Sequence, residues 1–226
     1  RKFAAEMDGA RWMMWYTGRG AGLPAPSLPL ASGAVGLAHS TDGLSWQVVA
    51  GDEQAGSVLG PNEDEWWTFD TLHVGVGDVH VMSNDVVRNS MGLYWMYYYG
   101  GDATELELDG VAAPEGSNMA IGVALSNDGV HWGRVEGGYS SGAILEPDDD
   151  EVFVGWPQVV QASADMWHMY YHALQKSTGR FAIGVASSSN CVEWTRRDGY
   201  ILEASADETA FDAGGVSARC VVRERG

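Results

Sequence analysis

The sequence is short of positive charge and of cysteine. It has 13 lysines and arginines against 31 aspartates and glutamates, which gives a formal net charge of −18 at pH 7. Nucleic acids and anionic membrane surfaces attract proteins through lysine and arginine, so this charge argues against both as partners. The two cysteines, Cys191 and Cys220, are too few for a disulfide framework and have no metal-binding spacing. We therefore expect both to be free thiols.

Long apolar runs are also absent. No segment approaches the roughly 18 consecutive apolar residues of a membrane-spanning helix, so no membrane span is expected. Residues 1–6 lack the hydrophobic stretch of a secretory signal. The chain starts without methionine, in what reads as a strand, and we expect it to be a processed or trimmed product.

Glycine and aromatic residues are abundant instead. The 226 residues include 30 glycines, 10 tryptophans and 9 tyrosines. Aromatic residues are enriched in strands and glycine in the turns between them, so this composition favours an all-β fold. The length suffices for one domain with a sizeable core, and nothing in the sequence indicates a second domain.

One motif occurs three times, in residues 36–46, 122–132 and 184–194. In each copy a small, apolar strand leads into Asp-Gly, or Asn-Cys in the third copy, and a tryptophan follows three residues later. The motif predicts a strand, a tight turn and a second strand. Asp-Gly favours a type I′ turn, which requires positive φ at both central residues. Because the third copy has Cys191 in place of glycine, we expect its turn to be strained or of another type.

Two other kinds of strand recur with the turn motif: an aromatic strand precedes each copy, and an opening strand begins each later unit. Aromatic strands are predicted at residues 14–18, 96–100 and 169–173, and opening strands at residues 69–81, 153–160 and 211–222. Four antiparallel strands that recur at this period are typical of a β-propeller blade. The methionine-rich aromatic strands are expected to form the core between blades.

The repeat predicts an all-β, single-domain β-propeller across residues 1–226. Blades of four-stranded antiparallel sheets are expected at about residues 1–50, 69–136 and 153–198, followed by an opening strand at residues 211–222. This amounts to about three and a half to four blades, whereas a closed ring has about four to eight. We therefore expect the propeller to be incomplete at one or both ends, or closed by its C-terminal strand docking beside the N-terminal one.

The strand motifs resemble those of a known superfamily. The opening strand follows the pattern Phe-Asp…Val-Gly-x-Pro-x-Val, the aromatic strand x-Met-Tyr-Tyr-x-Gly, and the turn motif Ile-Gly-Val-Ala-x-Ser-x-Asp-Gly-x-x-Trp. Together they resemble the five-bladed β-propeller glycosidases, the superfamily of arabinanase, levansucrase and invertase that includes glycoside hydrolase families 43 and 32. The resemblance extends from Trp12 to Val222. It implies this fold, a carbohydrate ligand and hydrolysis of a glycosidic bond.

The resemblance also implies positions for three catalytic carboxylates, on the innermost strands of successive blades. The implied positions hold Val76 in the second blade, and Gly155 and Trp156 in the third, none of which is acidic. The first-blade carboxylate would lie at or before the start of the chain, where Glu6 and Asp8 resemble turn residues. Three explanations remain open: the blade register is displaced, the chain has a different catalytic set, or catalysis has been lost.

Three aspartates are the candidate catalytic residues. Asp78 lies within an apolar opening strand, where strand packing disfavours aspartate, and we assign it as the candidate acid. Asp70 and Asp212, its candidate partners, both follow a phenylalanine at equivalent positions. That recurrence also favours a structural role, in which the carboxylate accepts hydrogen bonds from backbone N–H groups.

Four residues are candidates for substrate binding: Trp156, Gln158, His73 and Arg219. Period-two alternation places Trp156 and Gln158 on the same face as Asp78, where an aromatic plate and polar groups would suit a sugar. Arg219 falls on the opposite face. If that face lines the channel, anionic ligands are favoured instead.

Three histidines, His73, His80 and His172, are candidates for lining the same channel. No pair of them has a spacing that is diagnostic of metal binding, and single histidines near strands are more often structural. We expect no metal site and no cofactor.

Two functional hypotheses follow. In the first, the chain is a glycosidase-type propeller that binds carbohydrate, with glycosidic-bond hydrolysis as a possible activity. In the second, it is a catalytically degenerate propeller that serves as an interaction or scaffold subunit of a larger protein assembly. The missing carboxylates at the implied positions motivate the second hypothesis.

Overall fold

The computed structural model describes residues 12–19, 33–82, 93–108, 111–217 and 219–224. Glu6 and Asp8, the positions discussed for a first-blade carboxylate, lie outside these residues. The described residues contain strands and one short 3-10 turn (Gln54–Gly56), with no α-helix. Among them, no helix has the length and apolar character that crossing a membrane requires.

The described strands form three antiparallel sheets of three or four strands that follow one another along the chain, here called blades 1, 2 and 3, and a separate two-stranded hairpin inserted within blade 2. Blade 1 contains β1 (Trp12–Gly18), β2 (Ala34–Ser40) and β3 (Gln47–Val49). Blade 2 contains β4 (His73–Met82) and β5 (Leu93–Asp102), then a small hairpin of β6 (Glu107–Leu108) and β7 (Val111–Ala112), and finally β8 (Asn118–Ser126) and β9 (Gly133–Val135). Blade 3 contains β10 (Glu151–Ser163), β11 (Met166–Gln175), β12 (Phe181–Ser188) and β13 (Thr195–Arg196).

The strand order confirms the predicted all-β propeller fold. Blade 2 has the order β4-β5-β8-β9 and blade 3 the order β10-β11-β12-β13, which is the predicted sequence of opening, aromatic, turn-motif and tryptophan strands. Strands β4 and β10 start these two blades, and β10 packs against β4, β5 and β8 of the blade before it. Each blade therefore packs with one face on its neighbour.

The core lies between the blades and is built from the methionine-rich aromatic strands, as the sequence predicts. Met96 and Tyr98 are buried between blades 1 and 2, in a cluster with Val35 and Leu37. The neighbouring Tyr97, on the other face of the same strand, belongs to the cluster between blades 2 and 3. Because side chains alternate along a strand, one aromatic strand supplies both interfaces.

The turns after β2, β8 and β12 differ from the predicted type I′ geometry. Positive φ occurs only at the second residue of the pair, at Gly43 (77°), Gly129 (79°) and Cys191 (68°). The preceding aspartate instead accepts backbone hydrogen bonds: Asp42 Oδ1 lies 2.8 Å from the nitrogens of Leu44 and Ser45. These bonds, with Ser45 contributing most, lower the pKa of Asp42 to about 2. The third turn has the same geometry as the others, so Cys191 adopts a strained left-handed conformation.

The C-terminal segment differs from the expected opening strand at residues 211–222. No strand is assigned in its described residues, 211–217 and 219–224. Its contact with β10 is made by a side chain instead of a strand ladder: Gln158 accepts a hydrogen bond from the nitrogen of Val221 (2.9 Å) and donates one to its carbonyl (3.1 Å). A single amide side chain satisfies one residue, whereas a strand needs a row of backbone partners.

Candidate functional site

The first strands of blades 2 and 3 are interrupted by β-bulges at the same level. In β4, Val76 pairs with Tyr98 and Asp78 with the adjacent Tyr97, so the residue between them is extra. In β10 the register also shifts, between Gly155 and Gln158. A bulge re-aims the side chains beside it, and period-two alternation fails across it.

A pocket of about 310 Å³ opens at these bulges, and we call it the first-strand pocket. Its lining residues come from β4, from β10, from β11 and from the C-terminal segment: Val76, Gly77, Asp78, Trp156, Pro157, Gln158, His172, Arg219 and Cys220. Four of the predicted site residues, Asp78, Trp156, Gln158 and Arg219, are therefore brought together. The sequence had assigned them to two opposite faces, and the bulges explain why both faces contribute.

The bulges of the two blades are in direct contact. A Cβ atom placed on Gly77 would lie 2.5 Å from the side chain of Pro157. Real Cβ atoms do not approach other atoms so closely, because packed interiors leave no such space. Glycine at position 77 thus lets β4 and β10 meet and positions Asp78 beside β10.

Asp78 connects blade 2 to blade 3 through its carboxylate. Oδ2 accepts a hydrogen bond from the nitrogen of Val159 (3.0 Å) and lies 3.1 Å from Nε2 of His80. Oδ1 accepts a bond from the nitrogen of Val79 (2.9 Å). Burial lowers the pKa of His80, but the hydrogen bond and the charge of Asp78 outweigh burial and raise it above its usual 6.5.

Gln158 makes the corresponding connection one blade further on. Its Oε1 accepts a hydrogen bond from the nitrogen of Val221, as Asp78 accepts one from Val159. A neutral amide performs this task in blade 3, so the connection itself does not require a negative charge. The charge of Asp78 is thus an additional property of the pocket.

Trp156 supplies the aromatic surface of the pocket. Its backbone adopts φ 49°, a left-handed conformation that is strained for a tryptophan and that persists only where surrounding contacts enforce it. Its ring centroid lies 4.9 Å from that of Tyr99 and 5.5 Å from that of His172. The ring is therefore held in place by aromatic neighbours while it remains only partly buried.

Arg219 brings positive charge to the pocket. Its Nη2 donates hydrogen bonds to the carbonyl of Trp156 and to that of Tyr170 (2.5 Å), while its buried Nε has no partner among the described residues. Burial lowers the pKa of Arg219 to about 10. Burial, with a smaller contribution from Arg219, lowers the pKa of His172 to about 4, so this imidazole is neutral at pH 7.

Asp70 does not line the first-strand pocket. Its carboxylate is fully buried, where Oδ2 accepts hydrogen bonds from Arg134 Nε (2.7 Å) and from the hydroxyl of Tyr98 (3.0 Å). Arg134 also donates to the carbonyl of Gly60, in the loop after blade 1 (2.6 Å). Asp70 therefore anchors an arginine that joins this loop to blade 2, as its predicted structural role requires, and it does not meet Asp78 in the first-strand pocket.

Blade 3 contains the same arrangement with a glutamate. Arg196 Nη1 lies 2.7 Å from Glu151 Oε2 and 2.7 Å from the hydroxyl of Tyr171. Its Nη2 donates to the carbonyl of Glu146, which belongs to the loop after blade 2. We call these two arrangements of acid, arginine and tyrosine the blade clasps.

The other two predicted site residues also lie outside the pocket. His73 is 1% exposed and its Nε2 lies 2.9 Å from the carbonyl of Gly116. Burial lowers its pKa, and His73 does not line the first-strand pocket. Asp212 is partly exposed in the C-terminal segment and does not line the pocket.

From the sequence, His172 was one of three histidines considered for lining the channel, and neither Pro157 nor Gly77 was assigned to the site. His172 lies on β11, beside the bulge, and contacts Trp156. The Gly-Asp and Trp-Pro pairs in otherwise apolar strands were the available signal, since glycine and proline within a strand mark bulges.

A second cavity, of about 410 Å³, lies away from this chemistry. Its lining includes the carboxylates of Asp102, Glu107, Glu146, Asp148, Asp149 and Glu151. Among the described residues, however, no group of three or more acidic, histidine or cysteine side chains has the geometry to hold a metal ion. Both cysteines are free, as predicted.

Comparison with known proteins supports the fold. No protein-family model matches the sequence, and no curated protein matches it. Among solved structures, a chain described as a glycoside hydrolase matches with a TM-score of 0.61 at 20% identity, over 93% of this chain and 55% of that chain. A sucrose-6-phosphate hydrolase from Lactobacillus gasseri matches with a TM-score of 0.54 at 14% identity, over 85% of this chain and 32% of that chain.

A glycosyl hydrolase from Bacteroides ovatus also matches, with a TM-score of 0.52 at 16% identity, over 83% of this chain and 45% of that chain. At these identities the matches show the fold alone, which is similar to that of these glycoside hydrolases. The chain spans about half or less of the length of these structures.

Proposed function

We propose that this glycoside hydrolase-like propeller binds carbohydrate in the first-strand pocket. The observation that supports it is the meeting of Trp156 with Asp78, Gln158 and Arg219 in one open cavity. A pyranose or furanose presents C–H groups on its faces and hydroxyls at its rim. An aromatic ring with polar groups around it is complementary to such a ligand.

The size and composition of the pocket agree with this proposal. Its volume of about 310 Å³ lies at the lower end of the roughly 300–1,000 Å³ of small-molecule pockets. Hydrolysis of a glycosidic bond uses two carboxyl groups, one ionised and one protonated. Asp78 is the only carboxylate that lines the pocket among the described residues, so binding is the activity that we propose first.

A second candidate function is that of a non-catalytic interaction subunit. The exposed aromatic side chains of Trp66 (89% exposed) and Phe211 (101% exposed) favour it. Aromatic residues are enriched in protein interfaces, and both lie outside the first-strand pocket.

Titration of the protein with neutral methyl glycosides, followed by protein-observed NMR, tests the first proposal. Methyl glucoside, galactoside, arabinofuranoside and fructofuranoside are the probes. We expect at least one to bind, and Trp156→Ala to weaken that binding by about tenfold or more. Trp66→Ala is the matched control, because it removes an exposed tryptophan that does not line the pocket. It should leave the affinity for the sugar unchanged.

Hydrolysis is measured in the same protein with the nitrophenyl glycosides of any sugar that binds. If turnover occurs, Asp78→Asn should abolish it while the variant remains folded, because Gln158 shows that an amide can maintain the connection between first strands. Absence of binding to these probes and to anionic sugars of the same kinds would refute the proposal, as would binding that is lost in Trp66→Ala and retained in Trp156→Ala.

A further inference from the structure

Arg219 differs from the other partly buried arginines whose partners are described. Arg134 and Arg196 each pair with a carboxylate at 2.7 Å, in the two blade clasps. The ion pairs among the described residues include none to Arg219. Its hydrogen bonds go to two neutral carbonyl groups, those of Trp156 and Tyr170.

The absence of a counter-ion has a direct electrostatic consequence. Asp70 at Arg134, and Tyr171 together with Glu151 at Arg196, outweigh burial and raise the pKa values of these arginines, whereas burial lowers the pKa of Arg219. Taking a guanidinium out of water costs free energy that an adjacent anion offsets. At Arg219 the charge of Asp78 acts in the same direction but does not outweigh burial, and no ion pair to Arg219 is among those of the described residues.

Asp78 does not fill this role, although it lines the same pocket. Its two oxygens accept hydrogen bonds from the nitrogens of Val79 and Val159, and it forms an ion pair with His80. The negative charge of Asp78 is therefore directed to the β4 and β10 side of the pocket. Arg219 lines the same pocket without an ion pair of its own, and its charge is only partly offset by that of Asp78.

We infer that the carbohydrate bound in the first-strand pocket carries an anionic substituent, and that Arg219 binds this group. The inference rests on the proposed carbohydrate binding. Guanidinium groups bind planar carboxylates and tetrahedral sulfate or phosphate oxyanions through charge-assisted hydrogen bonds. The ligand class is thus a uronic acid, a sugar sulfate or a sugar phosphate.

The position of Arg219 relative to the aromatic surface agrees with such a ligand. Arg219 donates to the backbone carbonyl of Trp156, whose ring lines the pocket, so the cation and the aromatic plate are fixed to each other. A sugar ring lying on Trp156 would place a charged substituent within reach of Arg219.

Matched pairs of sugars test the inference in the native protein. Methyl glucuronide is compared with methyl glucoside, methyl galacturonide with methyl galactoside, and glucose 6-sulfate and glucose 6-phosphate with glucose, by NMR titration at low ionic strength. We expect the anionic member of at least one pair to bind about tenfold or more tightly than its neutral partner. The pair with the largest ratio identifies whether a carboxylate, a sulfate or a phosphate is recognised.

Two variants then assign the preference to Arg219. Arg219→Gln should reduce the ratio to near one, whereas Arg219→Lys should retain part of the ratio because it keeps the charge. Arg197→Gln removes the same charge from an exposed site and is the control. Thermal unfolding of each variant establishes that it is folded. If Arg219→Gln is unfolded, the affinity ratio measured with Arg219→Lys tests the assignment instead.

The outcomes separate the two proposals. If no sugar binds, the proposed function fails. If neutral and anionic sugars bind with equal affinity, or if the preference survives in Arg219→Gln, carbohydrate binding stands and the inference about Arg219 is overturned. In that case Arg219 serves only to hold the carbonyls of Trp156 and Tyr170.

Discussion

The same dipeptide, Phe-Asp, lies in two contrasting environments in this protein. Phe69 is 5% exposed and stacks on Tyr98 at 5.6 Å, and the adjacent Asp70 is fully buried. Phe211 is fully exposed, and Asp212 is partly exposed. The dipeptide therefore does not determine its own environment.

The difference lies in what the rest of the blade provides. In blade 2, Tyr98 on β5 covers the phenylalanine and Arg134 on β9 binds the aspartate. Blade 3 reaches the same result with Glu151, at a different spacing, because Arg196 and Tyr171 occupy the corresponding strands. In each of the two blades, the arginine on the last strand is thus the residue that binds the acid and completes the blade clasp.

Removing that arginine should have the largest effect. Arg134→Met leaves the buried carboxylate of Asp70 without its cation, and breaking a buried pair in this way costs about 3–5 kcal/mol. Urea unfolding of the variant measures the loss. Arg197→Met, at an exposed site, is the control, and a loss below about 1 kcal/mol in Arg134→Met would show that the clasp contributes little.

Truncating the two phenylalanines compares the environments directly. Phe69→Ala should cost about 3–4 kcal/mol, because it removes a buried ring and leaves a cavity beside Tyr98. Phe211→Ala should change the free energy of unfolding by less than about 0.5 kcal/mol, as expected for an exposed site. Equal losses from the two substitutions, in the same urea experiment, would contradict the contrast drawn here.

Acid should weaken the region around the C-terminal segment more than the clasps. Burial holds the pKa of His172 at about 4 in the folded protein, below its usual 6.5. Its contribution to stability is therefore fully present above about pH 6.5 and is lost as the pH falls towards 4, with a total on the order of 3 kcal/mol. Stability curves at several pH values for the native protein and for His172→Gln measure this contribution as their difference. Parallel curves between pH 6.5 and 4 would disprove it.

The smallest effect is expected at the second aspartate. Asp212→Asn should alter stability by less than about 0.5 kcal/mol, because the group is partly exposed. Asp70→Asn, in contrast, weakens the bond to Arg134 and should cost about 1.5–3 kcal/mol. Measuring both variants side by side separates the effect of burial from that of the residue type.

The fold was predictable because its signals are local. The turn motif, the aromatic strands and their order each lie within a short stretch, and repetition made the blade evident. The turn geometry was missed in one respect: Asp42 accepts two backbone hydrogen bonds and so keeps φ negative, which leaves only Gly43 in the left-handed region.

The site was predictable only in part, because its geometry depends on distant partners. The bulges that bring Asp78 and Arg219 to one pocket interrupt the alternation from which faces are assigned. The partner of Asp70 lies 64 residues away in the sequence, on the last strand of its blade. The glycine and proline within these strands mark the bulges but do not show which residues meet across them, and a pairing of this range leaves no pattern that a single sequence reveals.

The contact between Gln158 and Val221 has a consequence for the order in which parts of the protein unfold locally. The C-terminal segment is attached by this pair of hydrogen bonds, by the side chains of Arg219 and Arg223 and by the nitrogen of Val216, whereas β10 pairs along its length with β11. Backbone amides of the segment should therefore exchange with deuterium through local detachment, at a fraction of the free energy that releases those of β10. A ligand that engages Arg219 would slow this exchange. The exchange rate of the C-terminal segment would therefore show whether the pocket is occupied.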